Sequence, residues 1–598
     1  MKRKILATLM AIVMLTGCNN TAQSQNTETP AVGNTATSVS GNGNQEDGTG
    51  VSGEQQGGAE AQSTASTATD NATTDNANGT VTFADYEYNQ KLNVIDDNYR
   101  TYYEVFLYSY YDSDGDGIGD INGLISKLDY INDGDDNTDT DLGCNGIWLM
   151  PVMPSTTYHK YDVIDYYGID PEYGTLDDFK NLMSECEKRG IKLIIDLPMN
   201  HTSTKNDWFV KATDYLKSLK SGEEPNVKDC PYVEYYNFKK KEDAIGGTYY
   251  QIEDTDWYYE AVFWDQMPDL NFDCKSLRRE FENIADFWLS LGVGGFRIDA
   301  AKEFYSGATE KNINLLKWFS KYVKAQNKNN YIVAEVWEGS ATYTQYYKSG
   351  IDSTFDFDFG DATGIIASTA NGKNRSYSGK VFGQSVVNMQ KKIQKVNKKG
   401  IDAPFFTNHD TGRAAGFLWY KPENIKMAWA MNLFMSGSAF LYYGEELGMS
   451  GSGIDENKRA PMYWSNENTE GMTKGPENME KVEHKFEPQD KQAEDPSSIF
   501  NFVKRTIRIR NENPEIARGT AAYMKEIKDD DICALAKTYK KSTIYLLYNF
   551  ADEEKKVKVN KDTYKYKGIR GYLTTTGEAV TIDGDEVTLP AKSVVVLK

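Results

Sequence analysis

From about Tyr86 to Lys598 the chain reads as short apolar runs alternating with amphipathic stretches. The runs are Tyr103–Tyr108, Gly146–Met150, Lys192–Leu197, Gly295–Asp299, Tyr331–Val336, Ser353–Phe357, Pro404–Thr407 and Ala439–Tyr443, each bounded by Gly, Asp or Asn. Near-continuous apolarity over so few residues is the pattern of strands buried on both faces of a parallel sheet. Between most of them the spacing becomes helical. After the second run, Thr175 and Asp178 make a capping box, Phe179, Leu182, Met183 and Cys186 share one face, and Gly190 stops the helix. Eight such strands, most separated by helical stretches, predict an α/β fold, a (β/α)8 barrel.

Two stretches break the alternation. Residues 202–271 are too long for a simple crossover and rich in Tyr, Trp and Lys, which predicts a subdomain inserted after the third strand. Beyond Glu515 the helical pattern ends, and alternating stretches such as Ser542–Tyr548 and Ser593–Leu597 predict a C-terminal antiparallel β-sandwich over residues 515–598. The barrel then comprises residues 86–201 and 272–514.

The N-terminal part follows other rules. Lys2, Arg3 and Lys4 precede an apolar stretch, Ile5 to Met14, too short to span a bilayer, and Leu15-Thr16-Gly17-Cys18 follows. That string resembles a bacterial lipobox, which implies a signal peptide over residues 1–18 and acylation of Cys18. Residues 19–85 are dominated by small and polar side chains that cannot bury enough surface to fold, so they read as a flexible tether. The expected location is extracytoplasmic, at the cell surface or in the periplasm, with the membrane met only through the lipid anchor.

Composition narrows the function. The 598 residues carry a formal charge of −22, which disfavours nucleic acid and anionic membrane surfaces as partners and leaves a neutral polyol unaffected. The 40 Tyr, 25 Phe and 10 Trp allow a large core. Of six cysteines, five remain once Cys18 is acylated, so they cannot all pair, and none has CxxC spacing.

Three strand ends carry isolated acids, and in a barrel the C-terminal strand ends are where chemistry sits. In Gly295-Phe296-Arg297-Ile298-Asp299-Ala300, Arg297 and Asp299 are two apart, so they share a face and the arginine keeps the carboxylate charged, as a nucleophile requires, although the motif alone also reads as a structural Arg–Asp pair at the barrel rim. In Val333-Ala334-Glu335-Val336-Trp337 the acid ends an apolar strand beside a tryptophan, a setting that raises a carboxyl pKa, although it reads equally as a capping glutamate. In Phe406-Thr407-Asn408-His409-Asp410 a carboxylate follows another strand, in a polar string that also commonly starts turns. Of four histidines, His159, His201 and His409 fall within these and neighbouring motifs, and His484 does not.

Taken in order, Gly146-Ile147-Trp148-Leu149-Met150-Pro151, Asp196-Leu197-Pro198-Met199-Asn200-His201, Met267-Pro268-Asp269-Leu270-Asn271, the three strand-end motifs and the Gly437–Gly448 stretch resemble glycoside hydrolase family 13, the α-amylase family, from about Tyr86 to Lys598. The combination lies between oligo-1,6-glucosidase-like and neopullulanase-like members. The resemblance implies that Asp299 is the nucleophile, Glu335 the acid/base and Asp410 the transition-state stabiliser, with Arg297 orienting the nucleophile. It further implies that Tyr161, Asp162, His201, His409, Asp455 and Arg459 bind substrate. The family usually has glycine where Lys160 stands. Asp112-Ser113-Asp114-Gly115-Asp116-Gly117-Ile118-Gly119-Asp120 offers hard oxygen donors in a glycine-rich turn. It resembles the family's Ca2+ loop, with Asp112, Asp114, Asp116, the Ile118 carbonyl and Asp120 as ligands; a solvated acidic turn is the alternative.

The expected function is retaining hydrolysis of α-1,4-glucosidic bonds in starch, maltodextrin and related α-glucans, by a monomer. An α-glucosidase or oligo-1,6-glucosidase, a glucan transglycosylase of the same family, and a non-catalytic glucan-binding lipoprotein are the competing expectations.

Overall fold

A computed structural model describes residues 92–372 and 375–598; the expected leader, Cys18 and tether lie outside the described residues. Ten strands precede the C-terminal part: β1 (Thr101–Val105), β2 (Gly146–Leu149), β3 (Lys192–Leu197), β4 (Phe238–Lys240), β5 (Tyr249–Gln251), β6 (Trp257–Glu260), β7 (Gly295–Ile298), β8 (Tyr331–Ala334), β9 (Ser353–Thr354) and β10 (Ala439–Tyr442). Seven form one parallel sheet in the order β10-β1-β2-β3-β7-β8-β9. The eighth barrel position is filled by residues 403–405. There Phe355 bridges Ala403 and Phe405 bridges Phe440, both in parallel, and the Phe440 N–H donates to the Pro404 carbonyl at 2.9 Å. The expected strand Pro404–Thr407 is therefore reduced to single bridges, because Pro404 has no N–H to give to a ladder. With it the (β/α)8 barrel closes.

The helix after β2, Leu176–Lys188, carries the capping box: Thr175 Oγ1 accepts from the Asp178 N–H at 3.2 Å and Asp178 accepts from the Thr175 N–H at 2.9 Å. Gly190 follows at φ +68°, the left-handed conformation in which glycine avoids the usual side-chain penalty. Residues 202–271 hold the helix Asp207–Ser218 and a small antiparallel sheet in the order β4-β6-β5. Beyond residue 519 a five-stranded antiparallel sheet and a three-stranded one enclose a separate apolar core that includes Ile532, Leu547, Val587 and Val595. Among the described residues, no helix is long and apolar enough to cross a membrane. Cys144, Cys186, Cys230, Cys274 and Cys533 are buried free thiols.

Strand alternation decides what faces the barrel axis. Tyr103, Val105, Ile147, Leu149, Leu193, Ile195, Phe296 and Ile298 point outward into the core shared with the helices. Tyr102, Trp148, Ile194, Tyr331, Val333, Phe355, Phe405 and Phe440 form the inner core. Tyr102 is sandwiched there between Tyr331 and Phe440, ring centroids 5.2 and 5.0 Å away. Gly146 makes room for it: a Cβ at that position would lie 2.6 Å from the Tyr102 ring. Tyr102→Ala is expected to lower stability by about 3–5 kcal/mol in denaturant unfolding, the usual cost of emptying an aromatic core position. Tyr102→Phe is expected to be close to neutral, because the buried Tyr102 hydroxyl has no hydrogen-bond partner.

Candidate active site

The inward phase that supplies aromatic rings low in the barrel supplies charge at its top. Along β1 it runs Tyr102, Glu104; along β3, Ile194, Asp196; along β7 and just beyond, Arg297, Asp299; along β8 and just beyond, Tyr331, Val333, Glu335. Asp299 and Glu335 each stand one residue past the end of their strand. Arg297, with no solvent exposure, lies at the centre. Its Nη1 is 2.7 Å from Asp299 Oδ1 and 2.9 Å from Asp196 Oδ1, and its Nη2 is 3.0 Å from Glu335 Oε2. The guanidinium rests over the Trp148 ring at 5.1 Å, so one face of the cation meets π density while the edges meet carboxylates.

The third acid belongs to the same network. His409 Nε2 lies 3.0 Å from Asp410 Oδ2 and 2.8 Å from the Tyr161 hydroxyl, and that hydroxyl donates to Asp196 at 2.9 Å. Arg459 Nη2 donates to the other Asp410 oxygen at 3.0 Å, and its Nη1 donates to the Tyr158 hydroxyl at 2.9 Å. On its other side, His409 Nδ1 meets Glu104 Oε1 at 2.6 Å, and both side chains are buried.

Different surroundings move these carboxyls in opposite directions. Burial pushes Glu335 up; Arg297 opposes this, while the Asp299 and Asp410 charges add to it. Burial acts on Asp410 too, but the charge and hydrogen bond of His409, with Arg459 and Arg297, hold it well below the usual carboxylate range. Burial would neutralise His409, yet Asp410 and Glu104 raise it to about 9. A carboxylate at each ring nitrogen requires an N–H on both, which is the imidazolium. Burial also raises Asp196 to about 7, against the pull of Arg297.

The loop after β2 positions Tyr161, whose ring stacks on His409 with centroids 5.6 Å apart. Asp162 does not face the cleft as expected. It has no solvent exposure, and it accepts hydrogen bonds from the hydroxyls of Ser155, Thr156 and Thr157. Those hydrogen bonds outweigh burial and lower its pKa, so the carboxylate closes its own loop. Lys160 keeps the left-handed turn that glycine would supply, at φ 64°; its buried ammonium pairs with Asp170 at 2.9 Å and with Glu172. His201 Nε2 is buried without a hydrogen-bond partner, beside the exposed Phe263 ring. Asp455 sits on the rim, its carboxylate 3.8 Å from Arg459 Nη1.

Residues 104–519 match the family described as alpha amylase, catalytic domain. The chain belongs to the α-amylase family of glycoside hydrolases. It is 35% identical over 500 residues to Alpha-amylase 3 of Dictyoglomus thermophilum, spanning 79% of this chain and 92% of that one. It is 29% identical over 532 residues to an oligo-1,6-glucosidase of Parageobacillus thermoglucosidasius, spanning 75% and 90%. The solved structure of Eubacterium rectale Amy13B superposes with a TM-score of 0.80 at 47% identity, covering 85% of this chain and 97% of that one.

A second cluster of this α-amylase family member lies on the loop after β1. Carboxylate oxygens of Asp112, Asp114 and Asp116 lie within 4.8 Å of one another. Asp120 is not in the group: it caps the helix Ile121–Ser126 through the Gly123 N–H at 2.8 Å and holds the Ser113 N–H at 2.6 Å and hydroxyl at 2.7 Å. The Ile118 N–H donates to Asp116 Oδ1 at 2.7 Å. Of the expected carboxylate ligands, three are therefore brought together and the fourth is a helix cap.

Sequence reading missed Glu104, hidden in an otherwise apolar strand, and gave Asp196 no role. Both have a readable signal, a charged residue in the inward phase of a buried strand. Glu104→Gln keeps the shape of the contact with His409 and removes its charge. His409 is favoured as the cation in the fold, so its contribution is full below its unfolded pKa and is lost as pH rises through about 9. The substitution is expected to move the pH at which His409 loses its proton to lower pH by on the order of one unit, read from NMR titration of the His409 imidazole in the two proteins.

Proposed function

We propose that this α-amylase family enzyme hydrolyses α-1,4-glucosidic bonds in starch-type glucans by retaining double displacement. The observation that carries this reading is the single Arg297 guanidinium gripping Asp299 and Glu335 together. Such sharing favours the close carboxyl separation of retaining enzymes over the wider gap that accommodates a water molecule.

In the first step Glu335 gives its proton to the glycosidic oxygen as an Asp299 oxygen bonds to the anomeric carbon and the bond to the leaving sugar breaks. In the second, Glu335, now a carboxylate, takes a proton from water. The water oxygen bonds to the anomeric carbon and Asp299 is released. The raised pKa of Glu335 suits the acid of the first step. The strongly acidic Asp410 stays ionised and stabilises positive charge on the ring. The unpartnered His201 Nε2 supports a role for His201 in binding the sugar, alongside Tyr161 and His409.

Ca2+ is the proposed ion for the Asp112, Asp114 and Asp116 group, since three hard oxygen donors within one ion's reach repel one another without a cation. Its contribution there would be to hold the loop after β1 in place. The lipobox-like Leu15–Cys18 string supports anchoring to a bacterial membrane by lipid at Cys18, with the enzyme facing extracytoplasmic glucan.

Asp299→Asn is expected to lower kcat by at least about a thousandfold, on the scale of removing a catalytic nucleophile, while bound maltooligosaccharide remains detectable by calorimetry. With the wild-type enzyme, early mid-length maltooligosaccharides from amylose support the reading, whereas glucose alone, or cleavage of isomaltose only, would favour an exo-glucosidase. Chelation by EGTA is expected to lower Tm, with recovery on adding Ca2+, and Asp112→Asn is expected to abolish that response.

A further inference from the structure

Four consecutive residues of the loop after β2 divide by direction. Tyr158, His159 and Tyr161 are partly exposed, whereas Lys160 among them is only 3% exposed. The backbone reverses there at φ 64°, a conformation open to glycine without steric cost and strained for a residue with a side chain. Glycine would make the same turn with less strain and more freedom. A long side chain kept at such a position, with a charge buried at its end, is explained by what that charge holds.

The ammonium ties the turn to a second segment. Lys160 Nζ lies 2.9 Å from Asp170 Oδ2, pairs also with Glu172, and stands 5.3 Å from the centre of the Tyr173 ring. Asp170 is itself fixed. Its Oδ2 accepts from the Ser155 N–H at 3.1 Å, its Oδ1 accepts from the Glu172 N–H at 3.0 Å, and its own N–H donates to the Val152 carbonyl at 2.8 Å. The buried Tyr173 joins the barrel's helical layer, its carbonyl accepting from the Ile121 N–H at 3.0 Å. Glu172 is half exposed, in the wall of a trough that opens beside the cleft between Tyr158, Trp264 and Ile454. Lys160 therefore fastens the turn to the body of the barrel. On the other side of the turn, the Tyr161 N–H donates to His159 Nδ1 at 3.1 Å, and the Tyr161 hydroxyl meets Asp196 and His409. The Tyr161 ring is thus held at its tip by the charged network of the cleft and at its root by the residue before it.

We propose that Lys160 is a positioning residue for the reaction: drawn back onto Asp170 and Glu172, it holds the turn that aims the Tyr161 ring at the sugar whose bond is cut. The proposal rests on the hydrolytic reading above. A ring already in place needs no further ordering as the sugar distorts toward the transition state, so loosening the turn acts on kcat more than on KM.

The test is a double-mutant cycle read as hydrolysis of maltoheptaose, with Tm recorded for each protein. Lys160→Gly keeps the turn and removes the tie. It is expected to lower kcat on the order of tenfold, within what a small misplacement costs, and to change KM by less than about twofold. In a Tyr161→Ala background the same substitution should change kcat by less than about twofold, because the residue it acts through is gone. Glu172→Gln weakens only the half-exposed part of the tie. It is expected to lower kcat about threefold when Tyr161 is present, the scale of such an ion pair, and to leave it unchanged when Tyr161 is absent. That variant carries the cycle if Lys160→Gly does not fold. Equal losses of kcat in both backgrounds, or a lower Tm with kcat unchanged, would mark a purely structural lysine and overturn the proposal while leaving hydrolysis intact. Wild-type protein that leaves maltoheptaose uncut would overturn the hydrolytic reading and this one with it.

Discussion

The site depends on one buried cation. Arg297 has no contact with solvent, and such a charge is tolerated only where opposite charges compensate the lost hydration. Asp196, Asp299 and Glu335 provide that compensation at 2.7–3.0 Å, and the rings of Trp148 and Tyr161 lie over the guanidinium. The dependence is mutual. Without the guanidinium, three carboxyls in the same low-dielectric space would repel one another and take up protons. One residue thus stabilises the top of the barrel, keeps Asp299 and Glu335 close, and opposes the protonation of Glu335 that burial promotes.

A second cation, the His409 imidazolium, separates the roles of Glu335 and Asp410. Both are carboxyls in one cleft, yet burial dominates at Glu335, while at Asp410 two hydrogen-bonded cations overcome it. Pairs of acids driven apart in this way are the usual basis for dividing proton donation from charge stabilisation. The division reaches down to β1, because the Glu104 contact helps keep His409 charged. The proposed chemistry is therefore supported by three parts of the barrel: β7 and β8 for the two acids proposed to react, β3 for Asp196 beside Arg297, and β1 for the residue that favours the charged histidine.

How much of this was legible in the sequence follows from the same alternation. Strands buried on both faces announce themselves as apolar runs, and an acid immediately after such a run has one place to be, the barrel rim; Asp299 and Glu335 were readable for that reason. The eighth barrel position was legible too, as the apolar run Pro404–Thr407, but its reduction to single bridges was not, since a strand that begins on a residue without an N–H shows in pattern more than in hydrogen bonding. Asp162 and Asp120 could not be assigned from sequence, because whether a loop carboxylate faces substrate or metal, or turns back onto hydroxyls and helix N–H groups, depends on loop closure. Lys160 is the converse: a non-glycine residue at a left-handed position, legible as a departure but explained only by its partners Asp170 and Glu172.

These differences between strand and loop residues separate reaction from selectivity. The groups proposed to break the bond are held on or next to strands whose register is set by the two cores, so loop changes leave them in place. The walls of the adjoining trough come from the loop before Leu270, the segment around Ile454 and the loop after β2, each fixed by local contacts such as Asp269 with Val262 or Asp162 with three hydroxyls. A chain in this family can therefore alter which glucan it holds by exchanging side chains on those loops without disturbing Arg297. The two levels meet at Arg459, whose guanidinium ties Tyr158 on the loop after β2 to Asp410.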